Sequence, residues 1–316
     1  MKQNKKFYNT FLLKYAKRKE NIQKIMEKLQ KIAPFDKINS ILIKVMLHGY
    51  REIYANTNVE SVEILVSYLR KFPNIKKIAV GEGSRGIYYD RETYEMFKRF
   101  KYKNLESQGV ELVDLDLLPH ENNFEVEMIS GFKEKVRFTK PDYDLILSLV
   151  PPKTHDFIIL SLGMFNMIGF IHPEDKAKIF GTDLNTLRDR FIYQEENFLK
   201  VIKVVHKNIV EMNKNIHPDV SIIDGLYGME GKGPLKGSPV FHGFCVGSTD
   251  FVLADALSAV SMGLKPKEIG YLYYAEKEGL GSLNTKNYFG ERIEYVRFPY
   301  RMHQLFELQK RWKDER

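Results

Sequence analysis

Short apolar runs alternate with amphipathic segments from residue 41 to about residue 280 of the chain. Residues 41–47 and 145–150 are runs of strand length without an obvious polar face, as expected for parallel strands covered on both sides. Residues 185–212, in contrast, repeat their apolar positions at helical spacing, and residues 59–71 follow a helix-capping residue at Asn58. This alternation predicts an α/β fold in which helices flank a mostly parallel sheet.

The first 35 residues have a pattern of their own. Their apolar positions recur at roughly helical spacing, which predicts a basic amphipathic helix that docks on the body. Residues 1–31 hold ten Lys and Arg residues against two Glu, so they carry the whole formal charge of +8. We divide the chain into this helix, residues 1–35, and an α/β domain, residues 36–316, which could form two lobes, 36–150 and 151–316.

The basic arm has two interpretations. Clustered positive charge can bind nucleic acid, an anionic membrane or an acidic partner. It can also be the solvated face of a docked helix, and we favour this second interpretation. Nucleic-acid binding through residues 1–31 therefore stays an alternative.

Composition narrows the class of protein. Apolar residues make up 43% of the chain and charged residues 28%, as in soluble globular proteins. Cys245 is the single cysteine, which excludes an intrachain disulfide and an iron–sulfur cluster held by one chain. We expect a cytoplasmic protein, because the N-terminus lacks a signal-peptide apolar region and no apolar run reaches the roughly 18–20 residues that span a bilayer. The oligomeric state stays open.

Lys153 and His155 are the first candidates for chemistry. They follow the strand-like run 145–150 and a Pro-Pro stop, and ligands of open α/β sheets bind beyond the carboxyl ends of strands. Lys153 could bind an anion or act as acid or base, and His155 could transfer a proton. Alternatively, His155 caps a backbone carbonyl and Lys153 pairs with a surface acid.

Other predicted strand ends carry polar groups that could line the same pocket: Lys44, Glu82, Ser84 and, further along, Asn166. Glu82 and Ser84 lie in a loop, residues 81–86, with the spacing G-x-G-x-x-G. This spacing alone is a weak sign of dinucleotide binding, and Glu82 would repel a pyrophosphate. We therefore expect a tight turn that lines a pocket for a ligand other than a dinucleotide.

The second half of the chain adds a glycine-rich segment and three carboxylates. Residues 228–237 include Gly231, Gly233 and Gly237, which allow the backbone to approach a ligand closely, although structural turns would also explain them. Glu230 could orient the catalytic groups. Asp224 and Asp250 could hold a divalent cation such as Mg²⁺, although a helix N-cap is the alternative for Asp250.

Several blocks in this order resemble the DUF362 family, a domain of unknown function. The resemblance covers about residues 41–281, and its specific blocks are residues 152–155, 228–237 and 248–263. In the block 165–169, Phe165 stands where the family has a lysine, and Lys44 is not followed by the family's Pro-Asn. The ferredoxin-type cysteine motifs of some members are missing, so no redox role is implied. The resemblance implies the fold and the position of the site, and it implies no established reaction.

These observations lead to three hypotheses about the function of the protein. The first is an enzyme acting on a small anionic metabolite, a carboxylate or a phosphate, with Lys153, His155 and Glu230 as catalytic residues. The second is a nucleic-acid-binding protein that uses the basic arm. The third is a non-catalytic ligand-binding or scaffold protein, so whether the chain is an enzyme stays open.

Overall fold

A ten-stranded mixed sheet forms the centre of the fold. The computed structural model of the protein describes residues 9–49, 53–87 and 92–314. Within these residues the strands are β1 (Thr10–Lys14), β2 (Ser40–Lys44), β3 (Lys77–Glu82), β4 (Glu111–Asp114), β5 (Asn122–Glu127), β6 (Lys133–Phe138), β7 (Leu145–Val150), β8 (Lys153–His155), β9 (Ile159–Ser161), β10 (Val220–Glu230), β11 (Ser238–Ser248) and β12 (Phe289–Gly290). The helices are α1 (Arg18–Leu29), α2 (Val59–Leu69), α3 (Thr93–Arg99), α4 (Gly163–Asn166), α5 (Leu184–Arg188), α6 (Glu195–Asn215), α7 (Phe251–Ser261), α8 (Gly270–Lys277), α9 (Ile293–Val296) and α10 (Phe306–Gln309).

The sheet has a parallel half and an antiparallel half. Its order is β12-β1-β11-β10-β7-β2-β3-β4, and β8 pairs with β10 and with β9. The pairs from β10 through β7, β2 and β3 to β4 are parallel, whereas β11 is antiparallel to both β10 and β1. The predicted α/β class is thus confirmed. Because β10 pairs with β7, the boundary suggested at residue 150 does not separate two sheets.

Side chains that alternate along the strands contribute to two apolar cores. In β7, Leu145, Leu147 and Leu149 pack in the core with α1, α2 and α3, whereas Ile146 and Val150 pack in the core with α6 and α7. Successive side chains of a strand point to opposite faces, so an apolar run without a polar face is the pattern of a doubly covered strand.

The N-terminal prediction is confirmed in one part and wrong in another. A helix docks on the body over Arg18–Leu29, with Ile22, Ile25 and Met26 buried. Residues 10–14 form strand β1 instead, paired antiparallel with β11. The reason is a contact with a distant part of the chain. The backbone groups along one side of β11 need hydrogen-bond partners, and a short apolar run can provide them as a strand as readily as it can form a helical turn.

Three further segments complete the fold. Strands β5 and β6 pair antiparallel as a separate two-stranded hairpin. The segment 228–237 is only partly a loop, because β10 continues to Glu230 and β11 begins at Ser238. Among the described residues after 300, the helical elements are the short α10 and a following 3-10 turn. None of the helices in the described part of the chain is long and apolar enough to cross a membrane.

Candidate functional site

A buried lysine–glutamate pair marks the carboxyl edge of the parallel strands. Lys44 ends β2 and Glu82 ends β3, and Lys44 Nζ lies 2.8 Å from Glu82 Oε1. Lys44 also donates to Asn166 Oδ1 at 3.0 Å, and Asn166 Nδ2 donates to the Lys44 carbonyl at 2.9 Å. Burial lowers the pKa of Lys44, and the Glu82 carboxylate opposes that shift. The structure therefore brings together three residues that sequence analysis placed in one pocket.

Glycines allow the loops to close around this pair. A Cβ atom at Gly169 would lie 2.5 Å from Lys44 Cε and 2.6 Å from Glu82 Oε1. A Cβ atom at Gly83 would overlap the carbonyl oxygen of Gly169 and would lie 2.7 Å from Asp116 Oδ1. Any side chain at these two positions would push the loops away from the ion pair. Ser84, the remaining predicted residue of the first loop, donates its hydroxyl to the Leu47 carbonyl at 2.7 Å.

Lys153 is fully buried, and no described carboxylate lies within ion-pair distance of its amine. Nζ donates to the Ala55 carbonyl at 2.6 Å, contacts the Met46 sulfur and lies 3.2 Å from His48 Nε2. Burial lowers the pKa of Lys153 well below its usual value, and Lys44 adds to this effect while Glu82 opposes it. The amine therefore gives up its proton more readily than an exposed lysine does.

His48 links Lys153 to the glycine-rich segment. Burial, with a smaller contribution from the charge of Lys153, lowers the pKa of His48 well below its usual value. The Pro234 carbonyl accepts a hydrogen bond from the imidazole and partly opposes that shift. The tip of the β10–β11 hairpin thus contacts the site through Pro234.

His155 leaves the same face of β8 as Lys153 but enters a different environment. Its ring packs edge-on against Phe165, with centroids 5.1 Å apart, and stacks on Phe180. Nδ1 lies 3.0 Å from Asp156 Oδ1 and 3.1 Å from the Phe157 amide nitrogen. These two contacts require opposite protonation of Nδ1, because a carboxylate needs a donor and an amide needs an acceptor. Lys153 and His155 therefore have different neighbours, although they lie only two residues apart on β8.

A small cavity opens beside the Lys44–Glu82 pair. Its volume is about 40 Å³, which is room for a few water molecules or a group of similar size. Its charged and polar lining consists of Lys44, His48, Glu82, Ser84, Arg85, Asn166 and Lys176, and Phe165 forms part of the apolar wall.

Lys176 is one of the lining residues that sequence reasoning missed, together with His48 and Arg85. Its Nζ lies 2.8 Å from Asp116 Oδ1 and donates to the carbonyls of Gly83 and Arg85. It lies in the 3-10 segment Pro173–Phe180. The sequence signal for a cation here is Asp116, just after β4, because a buried carboxylate is stabilised by a cationic partner.

The predicted metal ligands are apart. Asp224 lies within β10, where its carboxylate pairs with Arg18 and accepts from Ser61. Asp250 accepts from the Leu253 amide as the N-cap of α7. Because β11 runs antiparallel to β10, Asp250 lies at the opposite edge of the sheet from Lys153. In the described ranges, no group of three or more His, Cys, Asp or Glu side chains could hold a metal ion.

Glu230 and the glycines lie around the hairpin tip. Glu230 Oε2 accepts from the Arg301 amide at 2.8 Å. A Cβ atom at Gly233 would overlap the Thr154 carbonyl, one at Gly237 would overlap the Glu230 carbonyl, and Gly231 has a positive φ of 77°. The glycines therefore let the hairpin pack against β8 and against itself. Glu230 does not line the cavity that holds Lys44.

The family model for the domain of unknown function DUF362 matches residues 41–260. The chain belongs to the DUF362 family. A thylakoid-associated protein of Synechocystis sp. (strain ATCC 27184 / PCC 6803 / Kazusa) is similar to it, with 28% identity over 142 residues, 44% of this chain. The match spans only 39% of the length of that relative.

Two solved structures are also similar to this DUF362 chain. The lactate racemase apoprotein from Thermoanaerobacterium thermosaccharolyticum has a TM-score of 0.44 at 14% identity, covering 71% of this chain and 52% of that protein. A protein from Thermotoga maritima has a TM-score of 0.46 at 12% identity, covering 78% of this chain and 59% of that protein. The resemblance predicted from the sequence blocks is thus confirmed by the family model.

Proposed function

We propose that the strand-end site binds a small anion, a carboxylate or a phosphate, and moves a proton to or from it, so that the protein is an enzyme of small-metabolite chemistry. The observation that carries the proposal is Lys153, a buried lysine without a described carboxylate partner. It contacts His48 in the wall of a cavity rich in cationic groups. Strongly shifted pKa values from burial cluster at functional sites.

The charges around the cavity favour an anion. Lys44 and Lys176 are each paired with one carboxylate, Glu82 and Asp116 respectively. Arg85 adds a third cation, and no carboxylate among the described residues pairs with its guanidinium. The described Lys, Arg, Asp and Glu side chains named here therefore sum to one excess positive charge, which a ligand of one negative charge would balance. Charge interactions are also strengthened where water is excluded.

The proton chemistry is assigned to Lys153 and His48. A buried lysine whose pKa is lowered can take part in proton transfer, and the His48 imidazole both contacts that amine and lines the cavity. In this proposal His48 exchanges a proton with the ligand and Lys153 exchanges it with His48. Of the other residues predicted to be catalytic, His155 supports the neighbouring aromatic wall and Glu230 anchors the hairpin to Arg301.

The test has two measurements on the purified protein. Acetate and inorganic phosphate are titrated by ligand-observed NMR, and small carboxylic acids from a cell extract are incubated in D₂O and analysed for deuterium gain beside the carboxylate. We expect binding of at least one anion and exchange into at least one acid, with exchange lost in Lys153→Met. The matched control is Lys203→Met, which changes a lysine of α6 away from the site.

The outcomes separate the candidate functions. Binding without exchange in any acid favours a non-catalytic ligand-binding protein. No binding of either anion refutes the site altogether. Exchange that persists in Lys153→Met would remove Lys153 from the mechanism.

A further inference from the structure

A second, larger cavity adjoins the cationic one. Its volume is about 310 Å³, which is at the lower end of the range of roughly 300–1,000 Å³ for small-molecule sites. Its walls are mostly apolar and come from four segments of the chain: Ile87, Phe157, Phe180, Leu187, Arg188 and Tyr193.

The two cavities share walls. Ile87 lines both of them. Phe165 of the cationic cavity packs edge-on against Phe180 of the larger one, with ring centroids 6.0 Å apart. One layer of side chains therefore lies between the buried charges and the aromatic space.

The polar atoms of the larger cavity are engaged elsewhere. The Tyr193 hydroxyl donates to Asp156 Oδ2 at 2.7 Å, and the Tyr193 ring stacks on Phe157 with centroids 5.3 Å apart. The Arg188 guanidinium donates to the backbone carbonyls of Gly86 and Ile87. Arg188 thereby fixes the segment that separates the two cavities. What remains facing the space is chiefly aromatic ring and methyl surface.

We infer that the anion bound at the cationic cavity carries an apolar body, aromatic or branched, which occupies this second cavity. The inference rests on the proposed function and adds the substrate class. A ligand as small as acetate fits the 40 Å³ cavity but leaves the larger space without apolar contacts. A ligand with a body of about the size of a phenyl ring buries its own apolar surface and that of the cavity walls, and this burial makes the free energy of binding more favourable.

The test compares anions with and without such a body. Acetate is titrated against phenylacetate, phenylpropionate and phenylbutyrate, and inorganic phosphate against phenyl phosphate, with Kd measured by ligand-observed NMR. The chain lengths differ because the body must pass Ile87. We expect the best phenyl compound to bind at least about tenfold tighter than its parent anion, since burial of about 60 Å² of apolar surface is sufficient for that factor.

Variants locate the effect. Leu187→Trp should fill the larger cavity, remove the tenfold gain and leave acetate or phosphate binding unchanged. Leu199→Trp, on α6 outside this cavity, is the matched control and should keep the gain. If Leu187→Trp does not fold, Tyr193→Ala replaces it, because the Tyr193 side chain is 41% exposed and its removal opens the wall.

Each result decides the inference. Parent anions that bind as tightly as their phenyl derivatives overturn it and leave the anion site standing. A gain that survives both Leu187→Trp and Tyr193→Ala also overturns it, because the body then binds elsewhere. If no compound binds, the anion site itself fails and the inference fails with it.

Discussion

Replacing Lys153 by methionine should separate a functional lysine from a structural one. Methionine has a similar length and no titrating group, so the substitution keeps the packing and removes the amine. In the protein that amine is fully buried and donates to the Ala55 carbonyl at 2.6 Å. Its neighbours Met46 and His48 provide no negative charge.

The expected size of the effect follows from the pKa of Lys153, which burial lowers well below that of an unfolded lysine. Each unit by which burial lowers the pKa of a lysine below about 10.4 costs up to about 1.4 kcal/mol of folding free energy. The unfolded chain binds more protons than the folded one between the lowered pKa and about 10.4, so the free energy of unfolding rises with pH there, by up to about 1.4 kcal/mol per pH unit. Lys153→Met removes the cost of burying the amine. It also leaves the Ala55 carbonyl without its hydrogen-bond donor, which lowers the free energy of unfolding by about 1–3 kcal/mol.

Urea unfolding of both proteins at several values between about pH 8 and pH 10 gives the measurement. The stability of the variant relative to the wild type should be highest at the lower end of this pH range and should fall steadily as the pH rises. Lys200→Met, which removes an exposed lysine of α6, should leave the slope of stability against pH unchanged. Parallel curves for the wild type and Lys153→Met would refute the argument, because they would show that Lys153 is protonated in the folded protein.

Four further predictions follow from other contacts. Glu82→Leu should destabilise the fold by about 3–5 kcal/mol by leaving Lys44 as an unpaired buried charge, and adding Lys44→Met should recover most of the loss in denaturant unfolding. Gly169→Ala should lower the unfolding free energy by about 1–3 kcal/mol and weaken acetate binding, because its methyl group would overlap the Lys44 side chain; unchanged binding would count against the site. Burial raises the pKa of Asp255 to about 7. Its stabilising contribution is therefore complete below about pH 4 and lost as the pH rises through about 7, and Asp255→Asn should flatten that fall in thermal melts across this range. Deleting residues 1–31 should abolish cooperative unfolding by circular dichroism, since it removes β1 and α1; a truncated protein with an unchanged melting temperature would show that the arm is dispensable.

Much of the candidate site could be predicted because parallel strands end at one edge. Lys44 and Glu82 are far apart in sequence, yet each follows an apolar run, so the rule for strand ends brings them together. The same rule failed for Asp250. It assumes that every strand runs the same way, and β11 is antiparallel to β10. The sequence of residues 238–248 does not show that β11 runs antiparallel, because the direction of a strand depends on which neighbouring strand it pairs with.

The remaining parts depend on contacts that no short pattern contains. Lys176 comes from a 3-10 segment without a periodic signal, and its role follows from Asp116, 60 residues earlier. The sequence predicts Lys153 and His155 just past a strand end, whereas in the structure they lie two residues apart in the short strand β8. Their surroundings differ because Phe165 of α4 and Phe180 of the 3-10 segment Pro173–Phe180 pack against the His155 ring. Residues 10–14 become a strand only through pairing with residues 244–248.

That last pairing has a consequence for how the protein is made. Strand β1 is synthesised first, yet its ladder partner β11 ends at Ser248. Ribosomes add about 5–20 residues per second, so β1 waits roughly 10 to 50 s for its partner. During that interval it is an apolar strand with unpaired backbone groups, the kind of segment that recruits other chains. Lysines lie on both sides of β1 in the sequence, and charges that flank an apolar strand oppose its association with other chains.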